Sequence, residues 1–506
     1  MVNSNNNRRI FKNTLFLYFR LILTLVVTLY TSRVVLNALG IEDFGIYNIV
    51  AGIVTMMAFL SGAMSSATQR FLSFELGKNN LIQLHNVFKM SINIHFMIVI
   101  IVVFIAETIG VWFVNHHLVI PLDRLDAANW VFQCALLSFC CSVMAVPYNA
   151  AIIAYEKMSA FAYISIIDVL LKLSMVFLLQ LNWGDRLETY GLLMALVSFL
   201  NLGCYYSYSR YHFAITRFQL FWNTSLFKTL FSYTGWNLFG NLAAVTANQG
   251  VNILLNLFFG ATVNAARAIA FQVNSAVIGF VASLQMSINP QIIKSYATDD
   301  KEYMLKLVFS GAKYSFFLLY LIAVPLLLQT NVILTIWLGD VPNYTADFCR
   351  LVIIDSLIMS LSGTIMTAFQ ATGKIKKYQI VVGLILMCNL PLSYIFLSFG
   401  YDARIPMVIS ILVSLVALLF RVFLLSQIFD KVVQYFLTLI YRVVVFFCGA
   451  LFLSYIIPIQ SNNKLLEFTL FCIAYWCIAL FFIFVVGLER QERMYLKVKC
   501  MKLIKR

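Results

Sequence analysis

Apolar residues come in runs of about 20 to 30, each closed by a short polar segment that carries most of the charge. A spanning helix needs about 20 mostly apolar residues. Runs of that kind fall near 13–38, 44–66, 88–110, 128–154, 159–180, 189–209, 229–258, 266–289, 307–330, 350–372, 377–399, 404–428, 437–458 and 466–488. The pattern therefore predicts about fourteen transmembrane helices, or twelve to thirteen if a weak segment is re-entrant. Lipid offers no partner to an open strand edge, so the fold class is an all-α polytopic membrane bundle. The longest connections, around 67–87, 111–127, 210–228 and 331–349, are too short to hold a catalytic domain. The first run follows a basic, Asn-rich start and is too long for a signal-peptide core, which predicts a retained first helix.

Composition agrees: 62% of the residues are hydrophobic and 11% charged, yet the net charge is +15. In a soluble protein that charge would suggest nucleic acid; here its position explains it, and no nucleic-acid partner is expected. With the N-terminus inside, 26 of the 36 basic residues fall on inner segments. Only Arg33, Arg124, Arg186, Arg267, Arg350, Arg404 and Lys464 fall outside. That bias is the positive-inside signal and predicts cytoplasmic termini and an even number of spans. The ten Cys have irregular spacing and no CxxC pair, so packed thiols are expected, with no metal site.

A shift of 220 positions brings Gly40 onto Gly260, the turn 39–44 onto 259–264, and Arg70 onto Pro290. In both places a helix runs out, turns sharply and returns to a polar segment, TQRFLSFELGK in one and NPQIIKSYATD in the other. This is the plan of a two-repeat transporter with its substrate path between related halves. The expected organisation is an N-terminal lobe at 1–210 with six helices and a C-terminal lobe at 211–430 with six more. Two added helices at 431–488 and a basic cytoplasmic tail at 489–506 complete it.

Polar residues inside the apolar runs are the candidate site. In the run 229–258, Asn237, Asn241, Asn248, Asn252 and Asn256 fall within about 100° of arc on a helix of about 3.6 residues per turn. An amide facing lipid costs several kcal/mol, so the stripe is either interhelical hydrogen bonding or the wall of a hydrated cavity. Arg20 shares a face of the first run with Asn13, Thr24, Thr28 and Thr31, and either snorkels to the inner headgroups or faces a cavity. Arg33 has the same choice at the outer interface. Arg267, on one line with Asn274 and Gln285, sits outside against the charge bias, which invites a local reason such as an anion. Asp168 and Lys172 stand one turn apart and form either a structural ion pair or a responsive switch. Asp355 is a further carboxylate within an apolar segment. Sodium or proton coupling would need such a group, and Asp168 and Asp355 are the candidates; exchange driven by product consumption is the alternative. No Walker A, HExxH or GxSxG sequence occurs, so the chain is expected to be a transporter without a cofactor rather than an enzyme.

Four segments carry a resemblance: SRVVLNALGIEDFGIYNIVAG at 32–52, SSATQRFLSFELGK at 65–78, SINPQIIKSYATDD at 287–300 and TAFQATGKIKKYQI at 367–380. They resemble the Wzx-type polysaccharide flippases of the multidrug/oligosaccharidyl-lipid/polysaccharide exporter superfamily. The resemblance covers about residues 8–430 and weakens beyond. It implies two six-helix lobes in a V shape, alternating access, and transfer of an undecaprenyl-pyrophosphate-linked oligosaccharide across the bacterial cytoplasmic membrane for surface polysaccharide or O-antigen. It also implies a polysaccharide polymerase and glycosyltransferases as working partners. Arg20, Arg33 and Arg267 stand where such flippases place cavity arginines, which suit pyrophosphate. The Asn face suits sugar hydroxyls, although the cavity is less densely basic than that cargo would favour. A multidrug/cation antiporter of the same superfamily, a lipid II flippase and a non-transporting scaffold of a polysaccharide-synthesis complex are the alternatives.

Overall fold

The computed structural model describes residues 2–55, 58–118, 120–179, 184–217, 219, 221–338, 340–456, 464–488 and 493. These residues are helical nearly throughout, with no strand among them. The helices are α1 Val2–Thr55, α2 Ala58–Gly77, α3 Leu81–Ile105, α4 Val111–His116, α5 Leu125–Ala154, α6 Met158–Leu179, α7 Arg186–His212, α8 Thr224–Phe259 and α9 Ala261–Ala297. They continue as α10 Lys301–Leu328, α11 Thr330–Leu338, α12 Thr345–Ser360, α13 Gly363–Thr372, α14 Lys376–Met387, α15 Asn389–Ser398, α16 Ile405–Ser426, α17 Val432–Ile456 and α18 Lys464–Phe482. Among the described residues eleven helical stretches are long and apolar enough to cross a bilayer, and Val432–Phe447 and Cys472–Val485 are shorter apolar helices. The chain is a multi-pass membrane protein. The expected span 44–66 includes residues 56–57, and the basic tail 489–506, apart from Arg493, also lies outside the described residues.

Two compact units divide the chain. Unit 1 comprises Met1–Leu242, Met286–Asp300 and Gln370–Gln379; unit 2 comprises Ala243–Gln285, Lys301–Phe369 and Ile380–Arg506. In unit 1, α5 runs against α7 and α2, and α1 runs against α6. Helices in lipid gain nothing by hiding apolar surface from water, so close backbone approach has to hold them together. The sequence of α5 supplies it: Ala128, Ala150, Ala151 and Ala154 are fully buried. Large side chains such as Phe104 and Leu257 point outward instead, at 70% and 73% exposure, as a lipid-facing surface requires. In unit 2 the two last helices dock on α10. Tyr320 donates to the Phe447 carbonyl at 2.9 Å, Tyr475 to the Tyr320 carbonyl at 3.2 Å and Trp476 Nε1 to the Leu321 carbonyl at 3.0 Å.

The backbone repeats with the period read from the sequence. Gly40 breaks α1 with φ 79°, and Gly260 separates α8 from α9 with φ 80°. Asn79 and Asp299 close the return helices at φ 54° and 61°, Glu156 and Gly373 turn at 60° and 75°, and Gly184 and Gly400 at 90° and 82°. Left-handed residues are uncommon, and uncommon for any residue with a side chain. Four pairs of them at spacings near 220 mark two copies of one helical plan.

Candidate functional site

Within unit 1 the polar groups gather where α2 and α9 end, at the face that the basic bias assigns to the cytoplasm. After α5 the chain turns through Glu156, whose side chain is 1% exposed. Lys294 Nζ lies 2.5 Å from its Oε1, Gln291 Nε2 lies 2.5 Å from its Oε2, and Arg9 pairs with the same Oε2. Asn13 Nδ2 donates to the Glu156 carbonyl at 3.2 Å. Burial pushes the carboxyl up, but Lys294 and Arg9 outweigh it and hold Glu156 below the usual carboxylate range.

An equivalent contact joins α2 to the turn at Gly373. Arg70 Nε donates to the Gln370 carbonyl at 3.0 Å and Nη2 to the Ala371 carbonyl at 2.9 Å. These are end carbonyls of α13, where the helix dipole favours a cation; the Gln370 carbonyl also accepts from the Gly373 N–H at 3.1 Å. A Cβ on Gly373 would stand 2.8 Å from Arg70 Nη2, so a side chain there would dislodge the guanidinium. The two helices meet at Gly77: a Cβ there would lie 2.7 Å from Ala297 Cβ and 3.0 Å from the Lys294 backbone. Positions 77 and 297 are equivalents under the 220-residue shift, so the crossing has the self-pairing of a two-fold contact. Each return helix thus reaches a turn belonging to the other repeat, and together they form an inner clasp.

The clasp has a pH signature. A carboxylate held low in the folded protein stabilises it fully above the ordinary glutamate pKa, and that stability is lost as pH falls through the folded value. Wild-type thermal stability should therefore drop below about pH 4 more steeply than that of Glu156→Gln. At pH 7 the variant should be less stable by somewhat under the roughly 3–5 kcal/mol of a fully buried broken pair, because Arg9 is half exposed. Superimposable acid limbs in detergent melting curves would contradict this account of Glu156.

Unit 2 holds the second constellation. Arg267, 8% exposed, stands on α9 just after the Gly260 turn, facing the last turns of α8. Its Nη1 donates to Asn252 Oδ1 at 3.3 Å, its Nη2 to the Asn248 carbonyl at 3.1 Å, and its guanidinium carbon sits 4.2 Å from the Phe271 ring centre. Its Nε is buried without a hydrogen-bond partner. The structure thus places Arg267, Asn248 and Asn252 together, although Asn248 contributes its backbone while its side-chain amide donates to the Ala244 carbonyl. Nearby in sequence, Asn274 accepts from Ser356 at 2.7 Å. Asp355 accepts from Ser410 at 3.3 Å through Oδ2, and the Ser414 hydroxyl also bonds its buried carboxylate.

The other predicted residues divide. Asn237 and Asn241 lie in unit 1, whereas Asn248, Asn252 and Asn256 lie in unit 2, so the stripe is shared between them. Asn237 is 3% exposed and accepts from Gln379 at 2.9 Å, an interhelical bond. Asn241 is half-buried against Gly62. Arg20, in unit 1, lies 4.8 Å from the Phe161 ring centre with its Nε buried and unpartnered. The Arg33 side chain lies outside the described ones. Asp168 and Lys172 pair at 2.8 Å within one helix, at 17% and 43% side-chain exposure. Glu156, Arg70, Lys294 and Gly77 escaped the sequence reading, which took the cations as topology alone. The 220-residue shift was the signal that could have found them, since it superposes the two polar segments that cross.

Comparison with solved structures identifies the fold. The chain is similar to MATE in complex with MaD3S, with TM-score 0.72, 14% identity, and coverage of 83% of this chain and 96% of that one. It is similar also to a multidrug resistance MATE family transporter of the MOP superfamily in an outward-facing conformation, with TM-score 0.68, 13% identity and coverage of 84% and 96%. A MOP superfamily transporter from Pyrococcus furiosus, described by a binding pocket of reverse polarity, matches with the same four values. No protein-family model matches the chain, and no curated protein matches it by sequence. The likeness is one of fold: this chain has the MATE transporter fold over most of its length.

Proposed function

We propose that this protein is a membrane transporter working by alternating access, and that its cargo is a polyprenyl-pyrophosphate-linked oligosaccharide carried from the cytoplasmic to the outer leaflet of a bacterial inner membrane. The observation that carries the cargo class is Arg267. A guanidinium kept 8% exposed inside an apolar helix pair, with an unpartnered Nε and two Asn residues beside it, is chemistry for an anion joined to a polyol. Fork-shaped donors suit phosphate oxygens, and an amide can donate and accept with sugar hydroxyls. Arg20, with a buried unpartnered Nε of its own, supports the same reading. Cytoplasmic termini follow from the basic bias, and polysaccharide polymerases and glycosyltransferases are the partners such a step would need.

A multidrug or cation antiporter of the same fold is the second reading, and Asp355 favours it: a buried carboxylate beside the Ser410 and Ser414 hydroxyls suits an organic cation, a proton or sodium. Binding to the purified protein in nanodiscs separates the two. Undecaprenyl-pyrophosphate glycan should bind and displace nothing cationic, whereas preferential binding of an organic cation would overturn the cargo assignment. In the same assay Asn252→Leu should weaken glycan binding about fivefold, the value of roughly one neutral hydrogen bond. Unchanged affinity would remove Asn252 from the site.

A further inference from the structure

A cavity of about 330 Å³ opens beside Arg70 in unit 1, between the start of α3, the start of α8 and the last turns of α2. Arg70 is 6% exposed and lines it. Its Nε and Nη2 serve the two α13 carbonyls, and its guanidinium carbon lies 4.6 Å from the ring centres of both Phe71 and Phe74. A guanidinium carries five N–H donors and no acceptor, so the two carbonyls leave it with donors to spare. Gln83 and Asn86 line the same cavity, and Phe71 and Phe221 supply an apolar wall. Glu75 is the acidic group on the wall.

We propose that this cavity takes the phosphate of a phosphate ester at the cytoplasmic face, and that the bound phosphate competes with the α13 carbonyls for Arg70. The groups needed line it: a desolvated guanidinium for the anionic oxygens, Gln83 and Asn86 for the remaining ones, and aromatic surface for an attached chain. A phosphate dianion is a stronger acceptor for guanidinium than a neutral carbonyl, because both partners are then charged. Its arrival draws Arg70 from the Gly373 turn and loosens half of the inner clasp. Entry of the ligand is thereby tied to opening of the face it enters by. The inference rests on the transport reading for its purpose, but the binding it predicts needs no transport.

The test is titration of the purified full chain in nanodiscs with three probes: inorganic pyrophosphate, undecaprenyl phosphate and phosphatidylglycerol. Arg70→Gln should weaken binding roughly 10- to 100-fold, the range expected for hydrogen bonds to a charged group. Arg70→Lys, which keeps the charge but not the fork, should fall between. Glu75→Gln should act in the opposite direction and tighten binding. Binding of undecaprenyl phosphate alone identifies a lipid-linked ligand, equal binding of pyrophosphate identifies free phosphate chemistry, and phosphatidylglycerol binding identifies a headgroup; each supports the site. Hydrogen exchange of residues 370–379 should speed up several-fold on binding. Phosphate binding indifferent to both Arg70 and Glu75, or binding with exchange at 370–379 unchanged, would overturn the proposal. A protein that binds phosphate here yet moves no lipid-linked glycan keeps this site and loses the transport reading.

Discussion

Gly77→Leu is expected to hold the inner clasp open. Even a Cβ at this position would stand 2.7 Å from Ala297 Cβ and 3.0 Å from the Lys294 backbone, so leucine has to push α9 away from α2. Overpacking of this kind costs about 1–3 kcal/mol. Because Lys294 and Gln291 ride on α9, the displacement also strips Glu156 of two of its partners. A penalty on the closed state alone shifts its population relative to an open one by roughly 5- to 150-fold. The readout is a cysteine in place of Ser295, which is 6% exposed beside the crossing, in a background free of other cysteines. Membrane-impermeant maleimide added from the cytoplasmic side should label Ser295→Cys at least about fivefold faster when Gly77→Leu is present. Equal labelling rates would show that the crossing does not seal that face.

Arg267→Ala is expected to abolish transport while the protein still folds. The guanidinium makes one hydrogen bond to a side chain, one to a helix carbonyl and one stacking contact with Phe271, so no large network collapses with it. The lost stacking is worth about 0.5–2 kcal/mol, and α8 and α9 retain Val251, Leu255, Ala266 and Ala270 packed in one buried cluster. For an anionic cargo the loss is larger, because each hydrogen bond to a charged group contributes about 1.5–3 kcal/mol. Export of lipid-linked glycan should fall by roughly 100-fold or more, and Arg267→Lys should recover only part of it. Normal surface polysaccharide with a well-expressed Arg267→Ala protein would remove Arg267 from the cargo path. Reconstituted protein should report the same loss without the influence of expression.

The sequence made the helical architecture legible because spanning runs are long, apolar and bounded by charge. Gly40 and Gly260 were legible too, since a glycine at a sharp turn between two apolar runs has one evident use, and the structure gives both nearly the same φ. The Asn stripe shows where periodicity stops. One face of α8 held five amides in register, yet Asn237 bonds Gln379, Asn252 bonds Arg267, and Asn248 bonds its own helix. Helical phase says which residues share a face; it does not say which neighbours that face meets. Glu156 was hidden for a related reason. Its four partners lie 135 to 147 positions away, Arg9 and Asn13 before it and Gln291 and Lys294 after it, so no local pattern announces them. Arg70 and Lys294 looked like topology because the same positive charge serves orientation and the clasp.

The most direct test of the central claim is leaflet transfer in liposomes. Purified protein is reconstituted with a defined undecaprenyl-pyrophosphate glycan in the leaflet corresponding to the cytoplasm, and its appearance in the opposite leaflet is followed with and without sodium and pH gradients. The account predicts transfer that depends on the protein, is lost in Arg267→Ala, and is not reproduced with an organic cation as cargo. Absence of glycan transfer by protein that exchanges an organic cation across the same membranes would contradict it.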